Sequence, residues 1–395
     1  PTRLKLANLM GLDGVEIEAE GCLVRDSRGK CYIDCLGGFG TFALGHRHPK
    51  VIEAVRKALD GVPISTRYLI NRELAEFAAR LAELTPGDLR YTFPIHAGAS
   101  AVEGALKMAR AATGRAKIVS MTDAFHGKSF GALSVSGKEF FKTKFRPLLP
   151  DTVQVPFGDI AAAKGVIDAE TAAVIVEPIQ GEAGVVVPPD GYLRALRALC
   201  DAAGALLIAD EVQTGLGRTG YLFACEHDQV APDLMTLAKA LGGGVMPLGA
   251  FIGNERAFAP LIEDPYLHSA TVESTLSFAA AQATLDVLVE EDLSGRAKAA
   301  GERLLAGIRA IRARRPRVID EVRGRGLMIG VTCVHPGQTA AIIGGMLQRE
   351  VLVGFTFNNV NVLRFEPPLI ITDEQIDAVL ARLDEAAEQA EVLAG

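Results

Sequence analysis

Short apolar runs with the make-up of buried strands alternate with helical patterns through most of the chain. Lys117–Met121 is one such run, and 172–177, 205–210 and 248–253 are three more. Between the second and third, Leu193, Leu196, Leu199 and Cys200 recur at helical spacing. Strand, helix and strand in that order make a βαβ unit, and its repetition predicts a parallel sheet covered by helices on both faces. The ends read differently. Residues 1–45 carry strand signals punctuated by turns, as in 24–34, and beyond about residue 280 long helices give way to short strands near 326–332 and 362–365. The expected fold class is therefore α/β. A large domain over 50–279 holds a mostly parallel sheet flanked by helices, and residues 1–49 and 280–395 assemble a smaller α+β domain. The basic stretch 312–325 reads as a solvated helix end.

Composition narrows the class without naming an activity. With 41 basic against 48 acidic residues the net charge is -7, which argues against nucleic-acid binding, because that needs a basic surface to replace phosphate counterions. No run approaches the roughly 18 consecutive apolar residues of a membrane span. The six cysteines are too sparse for a disulfide framework and include no C-x-x-C pair. Cys31 and Cys35 lack a second pair to complete a metal site, and His46 and His48 stand in a turn-like run with no carboxylate beside them in sequence. No metal is expected, and cysteine usage points to a reducing, cytoplasmic location.

Candidate chemistry gathers where strands end, since ligands of an open parallel sheet sit outside the carboxyl ends of its strands. Glu177 and Asp210 each close an apolar strand run, and a charge in that position needs a partner. Lys239 follows the apolar run 232–238 and precedes Gly242-Gly243-Gly244. A lysine partly desolvated at a strand end has its ammonium form disfavoured and becomes a usable nucleophile. Gly98-Ala99-Ser100 opens a helix with small residues, which leaves N–H groups free for a phosphate. The run 215–220 matches G-x-G-x-x-G, yet Tyr221-Leu222-Phe223 follows where a dinucleotide site needs a helix start. An acid at one strand end, a lysine at another, a phosphate-ready helix start and an aromatic (Phe125, before His126) are together the parts of a pyridoxal-phosphate site. There the lysine holds the cofactor and the acid keeps its pyridine nitrogen protonated.

At these residues the sequence resembles the class III aminotransferases of fold type I. The likeness runs from about residue 20 to 385. It takes in Gly45-His46-Arg47-His48-Pro49, Phe125-His126-Gly127, and 176–182 with Glu177-Pro178 and Glu182. It continues through 210–220, Lys239 and Leu363-Arg364-Phe365-Glu366-Pro367-Pro368-Leu369. Within the family the likeness is strongest to putrescine aminotransferases, through Pro156-Phe157-Gly158, Ala224-Cys225-Glu226-His227 and 242–249, with ornithine and acetylornithine aminotransferases next.

The resemblance implies roles. Lys239 holds the cofactor and moves the substrate proton, and Asp210 pairs with the pyridine nitrogen. Val212 and Phe125 cover the two ring faces, with His126 and Glu177 in the same cofactor-binding set. Gln213 reaches the ring hydroxyl. Gly98 and Ala99 offer N–H groups to the phosphate, and Thr271 reaches it from the partner subunit of a homodimer. Arg364 grips a substrate carboxylate, while Glu182 pairs with Arg364 when no carboxylate is present or receives a remote ammonium. The implied reaction moves the amino group of a putrescine-like diamine or basic ω-amino acid to 2-oxoglutarate. The alternatives are an ornithine- or acetylornithine-type enzyme, or an epimerase or decarboxylase on the same scaffold. A scaffold protein without cofactor conflicts with the intact Lys239 and Asp210.

Two runs depart from the family pattern. Thr271-Val272-Glu273-Ser274 replaces a threonine followed by an aromatic, two glycines, asparagine and proline. His96-Ala97-Gly98-Ala99-Ser100 replaces Ser-Gly-Thr-Glu, while retaining Glu103. Both fall at the phosphate end of the expected site.

Overall fold

The structure, a computed structural model, describes residues 14–268 and 274–393. Three short antiparallel strands come first: β1 (Glu16–Glu20), β2 (Leu23–Asp26) and β3 (Cys31–Asp34). The central sheet follows, built from β4 (Tyr91–Ile95), β5 (Lys117–Met121), β6 (Thr152–Val155), β7 (Thr171–Val176), β8 (Leu206–Asp210), β9 (Leu234–Leu237) and β10 (Gly249–Gly253). Their spatial order is β4-β10-β9-β8-β7-β5-β6. Strands β5 to β9 run parallel, and β10 is antiparallel to both of its neighbours, β9 and β4. Six strands therefore end on one edge of the sheet.

The reversed direction of β10 makes the sheet mostly rather than wholly parallel, as expected. A parallel return needs a crossover of a dozen or more residues, usually a helix. Between Leu237 and Gly249 there is only a short 3₁₀ turn, Lys239–Gly242, followed by Gly243 and Gly244 in left-handed backbone (φ 63° and 70°). The chain turns back beside β9 instead.

The helix Gly98–Thr113 buries Ala101, Val102, Ala105, Met108 and Ala109 against this sheet. Gly104 sets how close it comes, since a Cβ there would lie 2.2 Å from the Phe251 ring of β10. Close packing pins the helix start beside the end of β4.

The later part of the chain supplies β11 (Ile319–Arg325), β12 (Met328–Cys333), β13 (Val351–Leu352), β14 (Gly354–Phe355) and β15 (Val362–Phe365). Four of these form an antiparallel sheet in the order β11-β12-β15-β14, while β13 pairs in parallel with β3. That pairing of the two chain ends supports our proposal of a small domain made from 1–49 and 280–395 around a large one over 50–279. The basic stretch 312–325 is corrected: the helix ends at Arg314 and 319–325 is a strand. Its Arg323 donates to the carbonyls of Gly184 and Val185, so the charge serves to tie the sheet to the loop after β7.

Two sequence patterns acquire structural roles here. His46 meets Asp34 at 2.9 Å and His48 comes within 3.6 Å of Glu291, carboxylate partners outside the turn-like run itself. In the glycine-rich run 215–220, Arg218 is buried and donates to the carbonyls of Leu327 (3.1 Å) and Pro367 (2.5 Å). The run fastens the C-terminal region to the central one and precedes no helix that a dinucleotide would need. Among the described residues no helix is long and apolar enough to cross a membrane.

Candidate active site

The common edge of the six strands is where the expected residues converge. A cavity of about 530 Å³ opens there, with Asp210, Val212, Lys239, Phe125, His126 and the helix start Gly98-Ala99 in its wall. Asp210, the last residue of β8, is fixed from three sides. Its Oδ2 contacts His126 Nδ1 at 2.7 Å, while Oδ1 accepts from the Thr236 hydroxyl at 2.9 Å and the Val212 N–H at 3.2 Å. Thr236 is the one hydroxyl in β9, a polar position in an apolar strand and hence a signal the sequence carried unread.

Lys239 stands two residues past β9, with φ at 47°. The left-handed region costs a non-glycine residue about 1–2 kcal/mol, and such strain persists where its surroundings impose it. Burial lowers its ammonium pKa below the ordinary lysine range, against the pull of Glu366 and Glu182. The result is an amine more easily deprotonated than a surface lysine.

The helix at Gly98 starts with no side-chain cap from Ala97 and no acid in its first turn. Its leading N–H groups and dipole thus face the cavity uncancelled, which suits an anion. A Cβ on Gly98 would lie 2.9 Å from Val212, so glycine keeps that wall open. Glu103, one of the retained family residues, lies on the far side of this feature and accepts from Gly131 (2.7 Å) and Ala132 (3.1 Å).

Other expected site residues stand beside or behind the cavity. Glu177 has both oxygens occupied, by the Phe125 N–H at 2.8 Å and the Gly181 N–H at 3.1 Å. It braces the Phe125 loop, and burial raises its pKa to about 7. Gln213 donates to Phe39 O (3.3 Å) and Glu366 Oε2 (3.1 Å). Arg364, on β15, is 0% exposed and is gripped in bidentate fashion by Glu182, at 2.7 and 3.1 Å. Burial pushes the Glu182 carboxyl up, but Arg364 outweighs it and holds the group below its usual range. Thr271 lies outside the described residues.

Three residues besides Thr236 escaped the sequence reading. Phe39 covers the Arg364 guanidinium at 4.9 Å, and Phe357 packs on Phe39 at 5.4 Å. Lys128 holds its ammonium over the rings of Phe141, Phe357 and Phe125, at 4.1, 5.6 and 5.7 Å. All three depend on contacts between distant segments, which no local pattern encodes.

Comparison with known proteins decides the family, because the model for aminotransferase class-III matches residues 14–387. The chain belongs to the class III aminotransferases. Solved structures similar to it include the ornithine aminotransferase of Toxoplasma gondii, with 32% identity, 96% of this chain and 91% of that one covered, and a TM-score of 0.91. A thermostable (S)-enantioselective omega-transaminase from Thermomicrobium roseum has 32% identity, with 95% and 93% covered and a TM-score of 0.89. The acetylornithine aminotransferase of Elizabethkingia anophelis has 31% identity, with 98% of each chain covered and a TM-score of 0.84. Class III aminotransferases use pyridoxal 5′-phosphate, and this aminotransferase is an enzyme of that kind with a fold type I architecture. Its cavity fits the cofactor: an uncapped helix start for a phosphate, a fixed carboxylate for a ring nitrogen and a desolvated amine in one wall.

Proposed function

We propose that this aminotransferase takes the terminal amino group of a diamine or basic ω-amino acid, with putrescine as the reference donor. The nitrogen passes to 2-oxoglutarate in a second half-reaction. The observation that carries this reading is the closed Glu182–Arg364 pair. A diamine brings no carboxylate, and the Arg364 guanidinium beside the cavity is already neutralised by Glu182. 2-Oxoglutarate brings two carboxylates, and one of them displaces Glu182 to take the same bidentate geometry. One pocket thereby serves both partners.

The residue roles belong to the same proposal. Lys239 holds the cofactor covalently and carries the proton to and from the substrate carbon, for which its lowered pKa suits it. Asp210, held by His126, Thr236 and Val212, would pair with the ring nitrogen. Gly98 and Ala99 would receive the phosphate, Val212 and Phe125 would cover the ring, and Gln213 would serve its hydroxyl. When bound, the cofactor supplies an electron sink for breaking a bond beside the transferred nitrogen. We further propose a cytoplasmic homodimer in which Thr271 completes the partner's phosphate site. Its support is the run 64–70, where Ile64, Tyr68, Leu69 and Ile70 are 70%, 96%, 78% and 94% exposed in the single chain. Apolar surface so concentrated is normally covered by a partner.

A second reading, ornithine as donor, is favoured by Lys128, whose ammonium stands beside Phe125 and offers a counter-ion to a remote carboxylate. The test supplies cofactor-loaded protein with 2-oxoglutarate and putrescine, ornithine or N-acetylornithine, and measures glutamate. Glutamate from putrescine is expected. Glutamate from ornithine alone selects the second reading, and none from any donor overturns both.

A further inference from the structure

We infer that Glu366 is a specificity-determining positioning residue, a second counter-ion on Arg364 that biases the site toward amine donors and against carboxylate-bearing substrates. The inference rests on the proposed reading of Arg364 as the carboxylate-gripping group.

Glu366 lies one residue past β15 and two past Arg364, so both side chains leave the chain on the same face. Both residues are 0% exposed. The two terminal nitrogens of the guanidinium are spent on Glu182, while its Nε faces Glu366 Oε2 at 3.8 Å. One arginine thus sits between two buried carboxylates, a cluster with a formal charge of -1. Glu366 Oε2 accepts from Gln213 at 3.1 Å, and Oε1 has no hydrogen-bond partner among the described residues. A buried carboxylate left half satisfied costs free energy, and the surrounding hydrogen bonds give no structural reason for it. Its charge accounts for its presence.

The two carboxylates differ in what they meet. Glu182, from the loop after β7, takes the two terminal nitrogens that an incoming carboxylate needs. Glu366 faces Nε instead, with its backbone N–H donating to Cys35 O at 2.8 Å. Phe39 covers the guanidinium plane, so Arg364 cannot turn away. When Glu182 leaves, Glu366 stays. An incoming carboxylate then meets a guanidinium already partly compensated and is repelled by Glu366 behind it. A cationic donor gains from the same charge. Lys239 feels it too: after burial, Glu366 is the largest influence on that amine.

The test uses cofactor-loaded Glu366→Gln, which keeps the shape and an oxygen for Gln213, with Glu366→Ala alongside. The two half-reactions are followed separately, and glutarate binding is measured by calorimetry. We expect KM for 2-oxoglutarate to fall and glutarate to bind more tightly, each by at least about tenfold, since at an effective dielectric of about 20 a unit charge nearer than about 12 Å exceeds that factor. KM for putrescine should rise. A merely structural role shifts both KM values in one direction, and that result, or unchanged glutarate affinity in both variants, overturns the inference. If wild type turns over neither substrate, the donor and acceptor reading fails; tighter glutarate binding by the variants still upholds the role of Glu366.

Discussion

Replacing Glu182 with alanine tests the dual-substrate account at its centre. The change removes two hydrogen bonds to Arg364, at 2.7 and 3.1 Å, and the acceptor of the Phe357 N–H at 2.9 Å. Breaking a buried ion pair by removing one partner costs about 3–5 kcal/mol, because the remaining charge is stranded. Here Glu366 still faces Arg364 at 3.8 Å and Arg364 still reaches Phe355 O at 3.4 Å, so part of that charge stays compensated. The net loss of stability should be about 2–3 kcal/mol. Substrates should respond unequally. A carboxylate donor such as glutamate no longer competes with Glu182 for the guanidinium, whereas a diamine now faces an uncovered cation. The ratio of kcat/KM for putrescine to kcat/KM for glutamate should fall at least about tenfold, equivalent to about 1.4 kcal/mol of discrimination. The assay is steady-state turnover with each donor, beside urea unfolding of both proteins. Equal losses for the two donors, or a ratio that rises, would refute the account.

Two further outcomes follow from the same geometry. Glu177, with its pKa raised to about 7 by burial, holds a proton in the folded state that it loses near pH 4.5 when unfolded, so it favours folding at low pH. That contribution disappears as pH rises from about 5 to 7; Glu177→Gln should flatten this part of the stability curve in urea titrations, and parallel curves would count against it. Gly104→Ala places a Cβ 2.2 Å from the Phe251 ring and should cost about 1–3 kcal/mol through overpacking, while an unchanged Tm would show that the helix can shift at little cost.

Much of the fold was legible where chemistry is local. The βαβ pattern placed Lys117–Met121 at its observed bounds and put Leu193, Leu196, Leu199 and Cys200 on a helix, observed over Tyr192–Ala203, and small residues with an amphipathic face behind them marked the helix start at Gly98. The direction of β10 was not legible from strand composition, because a buried strand reads as apolar whichever way it runs. The length of the connection after Leu237 held that information. For the site, Asp210 and Lys239 stood out as charges at the ends of apolar strands. What holds them was hidden. His126 meets Asp210 and Glu177 meets Phe125 only because loops from separate strands share one edge. Glu366 was visible as a letter in a motif, and its significance needed the distance to Arg364.

The central claim, that Lys239 holds the cofactor in a working aminotransferase, is tested most directly by the visible absorption spectrum of the purified protein. The spectrum is recorded before and after adding putrescine, for wild type and Lys239→Ala. The account predicts a yellow band in wild type that bleaches with putrescine and returns with 2-oxoglutarate, and no such cycle in the variant. A wild-type protein that shows no band after cofactor is supplied, or a variant that cycles as wild type does, would contradict it.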